Sequence, residues 1–296
     1  MHIVNVTWRP AENIAFEHGV LSWTGAEESK FTHLSPGDKL SWTIVGPRMC
    51  IGSRNKSGRL VLCPEHIVSN PGRARCSSCA AIDSMDPCIR CTGRICNASE
   101  ERRTRCEETD YVVYLAVFND QTLKIGVSTT NRVKTRWVEQ GADFAAVLAE
   151  IRGGRAARRL EDLIGRRRGA TKQVRTQRKI SSLMTQLDLT EAEELAKRFI
   201  SSLQEVLPER EVQLEDLSMY YNLDSLTARP LPWRKRSEPM DGMQLLGDVV
   251  GMKGSLLVTR IGSAFAVANL RQLVGYTVDS DSPVRMVTQS GLLDYI

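Results

Sequence analysis

Eight cysteines lie between Cys50 and Cys106, and the other parts of the 296-residue chain have none. Their pattern is Cys50-x12-Cys63-x12-Cys76-x2-Cys79-x8-Cys88-x2-Cys91-x4-Cys96-x9-Cys106. A Cys-x2-Cys turn places two sulfurs on one side of a tight knuckle, and two knuckles supply the four thiolates of a tetrahedral Zn²⁺ site. Cys76, Cys79, Cys88 and Cys91 are therefore the leading ligands. The eight-residue gap between the knuckles is short, which leaves room for an interleaved arrangement completed by Cys63, Cys96 or Cys106. Eight thiolates suffice for two structural zincs, and an iron–sulfur cluster takes the same ligand type. A set of incidental buried thiols is the plain alternative. A catalytic zinc would want a His or carboxylate ligand, and His66 is the one nearby histidine. Disulfide frameworks belong to small exported domains. This chain is large, and its first residues lack a basic start followed by an apolar core. Metal ligation in the cytoplasm is the expectation.

The charge pattern offers a second chemistry. The chain carries 40 Lys+Arg against 35 Asp+Glu, a net charge of +5. Residues 151–180 alone are net +9, which leaves −4 for the rest. Arg155, Arg158, Arg159, Arg166, Arg167 and Arg168 lie in this tract, with Arg132 upstream. Helical arginines at this density suit phosphate backbone, through counterion release and charge-assisted contacts. A solvated face is the bland alternative. Residues 181–227 are net −7, so an internal cover is another. The 42% hydrophobic and 25% charged composition excludes a mostly disordered or collagen-like chain. The absence of a run of about 18 apolar residues argues against a membrane-spanning helix, so no membrane partner is expected.

The elements that must position these residues read as α+β. Residues 1–47 form a small β segment, with apolar runs at Val4–Trp8 and Lys39–Val45. Residues 48–108, poor in aliphatics, depend on metal for order. In residues 109–187, Tyr111–Phe118 and Thr122–Ser128 are strand-like and close enough for a hairpin. Thr130–Gln140 is helical and stops at Gly141. Phe144–Ile151 reads as a third strand, and Arg155–Arg168 as a helix with Ala156, Ala157, Leu160, Leu163 and Ile164 on one stripe. The order is β-β-α-β-α. Helices are predicted at Arg178–Leu187 and at Thr190–Val206, the latter capped by Thr190 and Glu193, so that residues 188–228 make an acidic helical extension. Within residues 229–296, a Pro-rich linker precedes Gly-punctuated β runs that form a small C-terminal β unit.

Val113-Tyr114-Leu115, followed by Lys124-Ile125-Gly126, resembles the two half-motifs of the GIY-YIG nuclease superfamily. Arg132 and Arg136 on the next helix, and Glu161 on the helix after the third strand, extend the likeness. The resemblance implies a site in which Tyr114 and Arg136 (or Arg132) act near the scissile phosphate while Glu161 holds a divalent ion such as Mg²⁺. Lys124 stands where these nucleases usually carry Tyr, as a phosphate ligand or a group that lowers a neighbouring Tyr pKa. Gln177 is the candidate for their late Asn. More of the chain, through CIRCTGRIC, TRWVEQGA, GMKGSLLV and NLRQLVGY, is similar to a bacterial and archaeal family known only as a domain of unknown function.

The leading expectation is a zinc-containing protein that cleaves phosphodiesters of RNA or DNA with a divalent metal. Tyr, Arg, Lys and one carboxylate make a minimal set for positioning water and stabilising developing charge. Alternatives are a non-catalytic nucleic-acid-binding module on the same scaffold and an RNA-modification or specialised-metabolism enzyme that reuses it. RNA is favoured over DNA by analogy with other proteins that combine zinc knuckles and basic helices.

Overall fold

The computed structural model describes residues 1–12, 16–23, 29–69, 72–167, 169–207, 212–234 and 238–280. The chain opens with β1 (His2–Pro10), β2 (Phe16–Trp23), β3 (Lys30–His33) and β4 (Lys39–Val45). The cysteine-rich segment holds β5 (Ser53–Arg54), β6 (Leu60–Val61), α1 (Ser77–Ile82), α2 (Asp86–Ile89) and α3 (Glu100–Glu108). Next come β7 (Asp110–Val117), β8 (Leu123–Thr129), α4 (Val133–Gln140), β9 (Phe144–Arg152) and α5 (Gly154–Ile164), in the β-β-α-β-α order that the hydrophobic runs predict. They are followed by β10 (Ala170–Thr171), α6 (Thr176–Ser181), α7 (Leu189–Ser201), β11 (Glu215–Asp216) and β12 (Leu231–Pro232). β13 (Gln244–Lys253), β14 (Leu256–Ile261), β15 (Ala264–Asn269) and β16 (Thr277–Asp279) complete the mixed α+β chain.

Two sheets carry the architecture. Among the described residues a nine-stranded sheet runs β12-β15-β14-β13-β4-β16-β1-β2-β3, so the first and last segments of the chain share one layer. In β4, Leu40, Trp42 and Ile44 point inward and the residues between them are more exposed, the period of a half-buried strand. The second sheet is β10-β8-β7-β9-β11. Its central strand β7 is buried from Val112 to Val117, where both of its faces are covered, and that stretch is accordingly a near-continuous apolar run. Val113, Leu115 and Val117 pack toward α5 and α7, with Ala157, Ala192 and Phe199. Val112, Tyr114 and Ala116 pack toward the nine-stranded sheet, with Trp8, Trp42 and Met252. α4 lies on this second side, burying Trp137 and Val138.

Several helix limits differ from the sequence pattern. α5 starts at Gly154 and ends at Ile164, so Ala156 and Leu163 are exposed and the buried stripe is Gly154, Ala157 and Ile164. Gly153, at φ +89, turns the chain into this helix. α7 is capped earlier than predicted, by Asp188 with Glu191 in a reciprocal capping box. The 229–242 segment, read as a linker, contributes β12 alongside β15. No helix among the described residues is long and apolar enough to cross a membrane.

The sheets meet where α4 ends. Gly141 takes the left-handed cap conformation at φ +68, and Gly254, at φ +63, turns the β13–β14 hairpin. A Cβ on Gly254 would lie 3.0 Å from the Gly141 amide, so glycines permit this approach. Beside them Lys253 Nζ reaches Asp143 Oδ1 at 2.5 Å, with side chains only 7% and 4% exposed. Asp143 also accepts the Asn119 amide, at 2.8 Å. Trp8 Nε1 donates to the Gly254 carbonyl at 2.7 Å, and the Tyr221 hydroxyl donates to the Ala142 carbonyl. Asp143→Ala strands a buried ammonium and is expected to cost about 3–5 kcal/mol in urea denaturation. The double change Asp143→Leu with Lys253→Met is expected to recover most of that loss.

Candidate functional site

Four cysteines meet in one buried cluster. Cys50 follows β4, Cys63 follows β6, and Cys76 and Cys79 sit at the start of α1; their sulfurs all lie within 4.8 Å of one another. Backbone amides point at these sulfurs, from Gly52 (3.4 Å) and Cys76 (3.2 Å) to Cys50 and from Cys79 (3.4 Å) to Cys76. Such donors favour the thiolate form. Gly52, at φ +82, cannot be replaced easily, because a Cβ would meet the Val61 carbonyl oxygen at 1.9 Å. Although burial opposes it, the Ile67 and Glu65 amides hold the Cys63 thiol down to about 7, while burial and the neighbouring sulfurs push Cys79 up. Four dry sulfurs with amide donors suit a tetrahedral soft cation, so this site can hold a metal ion such as zinc.

The grouping differs from the leading expectation. The Cys76–Cys79 knuckle is completed by Cys63 and Cys50, not by Cys88 and Cys91. Cys79 lies in α1 and Cys88 in α2, and the turn between these helices holds Asp83, which is tied to Arg75 at 2.9 Å and to the Arg54 amide at 3.1 Å. Among Cys88, Cys91, Cys96 and Cys106 no three sulfurs lie within 4.8 Å of one another. His66 is not in the cluster either.

The second group of predicted residues assembles around Gln140. Strand pairing sets Tyr114 opposite Gly126 and Ala116 opposite Lys124. The Tyr114 ring lies over Gly126, where an added Cβ would come within 2.4 Å of its hydroxyl. The Tyr114 hydroxyl accepts from Gln140 Nε2 at 2.6 Å, and Lys124 Nζ donates to Gln140 Oε1 at 2.8 Å. Lys179 Nζ donates to the Gln140 carbonyl. Trp137 meets the Tyr114 ring edge-on at 6.3 Å. Arg136 pairs with Glu139 at 3.3 Å, as does Arg132 at 3.0 Å. Glu161 pairs with Arg158 at 3.2 Å and acts electrostatically on Tyr114 and Lys124. Tyr114 and Lys124 thus share Gln140, and Arg136 and Glu161 act on both electrostatically.

Their environments are unequal. Tyr114 is fully buried, which pushes its phenol up to about 12; Arg136 opposes the shift and Glu161 adds to it. Burial, reinforced by Arg136, brings Lys124 down to about 8. Burial and then the charge of Lys124 bring Lys179 down to about 7. Both lysines face a cleft of about 340 Å³, together with Arg136, Lys172, Arg175 and Arg271. Among the described residues no carboxylate lines it. A wider opening of about 770 Å³ shares Arg136 and Arg271 with this cleft and continues past Arg132, Arg155 and Arg158.

The basic tract divides. Arg155 and Arg158 face the wide opening, and Arg155 also donates to the Arg94 carbonyl at 3.1 Å. Arg159 is exposed. Arg166 pairs with Asp162 at 2.5 Å, and Arg167 with Glu205 of the acidic extension at 3.1 Å. Arg168 lies outside the described residues. Gln177 is exposed and lines neither opening. The pattern missed Gln140, Lys179 and Arg271. Lys179 sits in the basic tract, but nothing local marks Gln140, and Arg271 comes from the far β unit.

A mixed α+β chain with two large sheets, a buried four-cysteine cluster and a basic cleft is thus defined. It belongs to a family described as a protein of unknown function (DUF2797), whose model matches residues 37–278. No curated protein and no solved structure matches it. Replacing Cys79 with Ser is expected to release metal from the buried cluster. In limited proteolysis, residues 50–83 then become labile while β7–β9 stay protected.

Proposed function

We propose that this protein binds nucleic acid by seating a backbone phosphate in the cleft beside Gln140. One observation carries the reading: six cationic side chains face a single cleft with no acidic one among the described residues. Burying cations beside one another is costly, as Lys124 and Lys179 show, lowered first by burial and then by neighbouring cations, and an anion relieves that cost. A phosphate is the fitting anion, since Lys serves as a point charge and Arg as a fork. The shared Arg136 and Arg271 continue the cationic surface toward Arg132, Arg155 and Arg158, which suits a chain of phosphates over a lone one. RNA is the first candidate and DNA the second.

The resemblance to GIY-YIG nucleases supports a second reading, phosphodiester cleavage, favoured by the closeness of Tyr114, Lys124, Arg136 and Glu161. Binding fits better for two reasons. Tyr114 is sealed and its phenol is raised, the opposite of an activated base. Glu161 is a single carboxylate already paired with Arg158 and close to other cations. The donors around it therefore do not suit Mg²⁺, which would enter a positive field with one occupied ligand.

Fluorescence anisotropy with labelled RNA and DNA oligonucleotides tests both readings. The double variant Lys124→Ala, Lys179→Ala is expected to weaken binding at least tenfold. The slope of log K against log salt should fall by about 0.7 for each single-strand phosphate that the variant no longer neutralises. Raising the pH from about 6.5 to 8.5 should weaken wild-type binding, because lysines titrating near 7 and 8 lose their charge in that window. Salt-independent binding, or none, rejects the proposal. Mg²⁺-dependent cleavage abolished by Glu161→Ala would replace it with the second reading.

A further inference from the structure

Cys88, Cys91, Cys96 and Cys106 are free, half-exposed thiols, and all four line the wide opening. They come from separate pieces of chain: α2, the turn after it, the following loop, and α3. One of them already has a ligand knuckle. Gly93, at φ +82, donates its amide to Cys91 Sγ at 3.3 Å. The buried cluster has the same device, in which Gly52, also at φ +82, donates to Cys50 Sγ at 3.4 Å. Cys-x-Gly thus holds a sulfur in the same way in both places.

Polar donors face these sulfurs. Tyr111 donates its hydroxyl to Cys106 Sγ at 3.8 Å. Cys106 Sγ occupies space left by Gly154, where a Cβ would come within 2.7 Å of it. Arg102 and Arg155 stand on the same wall, each with a buried Nε–H that has no acceptor. A zinc tetrathiolate has a formal charge of −2, which suits such a wall. No three of these sulfurs lie within 4.8 Å of one another, so an ion would have to draw α2, the loop and α3 together.

We infer that Cys88, Cys91, Cys96 and Cys106 are a second tetrathiolate site for a zinc-class divalent ion, built into the wall of the wide opening. Metal there also fixes the Gly93 turn against α5. That turn already presses on the helix, since a Cβ on Gly93 would meet the Arg155 carbonyl oxygen at 2.5 Å and the Arg159 amide at 2.9 Å. The site is independent of whether the protein binds nucleic acid.

Metal content by plasma mass spectrometry tests it, on full-length protein reduced anaerobically, reconstituted with Zn²⁺ alone and desalted. Two zincs per chain are expected. Cys88→Ser with Cys96→Ser should leave one, with the far-ultraviolet circular dichroism of the wild type. Cys91→Ser with Cys106→Ser should do the same, which guards against a fold defect particular to one pair. Co²⁺ in place of Zn²⁺ should give sulfur-to-metal charge-transfer absorption that halves in either double variant. One zinc per chain in the wild type overturns the site. So do two zincs retained by both double variants, or iron with acid-labile sulfide at this quartet in the protein as purified.

Discussion

The buried ion pair between Asp143 and Lys253 is the constraint on which the assembly rests. Each group is nearly excluded from water, so each needs the other to remain charged. The pair pins the end of α4 to the β13–β14 hairpin, two pieces of chain separated by 110 residues. Gly141 and Gly254 let the backbones close around it, and the Trp8 and Tyr221 donors satisfy carbonyls that this close approach would otherwise strand.

The cleft is a by-product of that junction. Gln140 ends α4 one residue before Gly141, and Ser255 and Leu256 follow Gly254, so fixing the two glycines also fixes two walls of the cleft. Arg271, in the short turn after β15, is carried in with the hairpin. Lys124 and Arg136 arrive from β8 and α4. Of the charges that gather there, Arg136 is paired with Glu139 and Lys172 with Asp162, and all six come from parts of the chain brought together only by tertiary packing. β7 holds both sides together by sending alternate residues into two different cores.

Much of the β-β-α-β-α unit was legible because its strands are long, apolar and set off by turns, and because Gly141 is an unambiguous stop. The half-motif spacing singled out Tyr114, Lys124, Arg136 and Glu161 as candidates but carried nothing of their states. Burial of Tyr114 comes from the nine-stranded sheet packed over β7, and no local pattern encodes that. The pairing of Cys50 and Cys63 with the Cys76–Cys79 knuckle was equally hidden, since ligand grouping depends on how β5, β6 and α1 fold back on one another. α5 ended earlier than its arginine run suggested because Gly165 follows Ile164 and the next residues turn toward β10. Arg271 was invisible because the other cations of the cleft lie more than 90 residues away in sequence.

The position of β16 has a consequence for how the chain is made. It lies between β4 and β1, and the Met1 amine donates to the Val278 carbonyl at 2.7 Å. During synthesis, β1 and β4 therefore leave the ribosome with facing edges that stay unpaired until residues 277–279 emerge. Unpaired edges are templates for association between chains. β1, β2 and β3 pair in sequence order, and the β-β-α-β-α unit likewise pairs strands close in sequence, so both can form as they are translated. The seam that β16 fills between β4 and β1 would then be the last part of the large sheet to close.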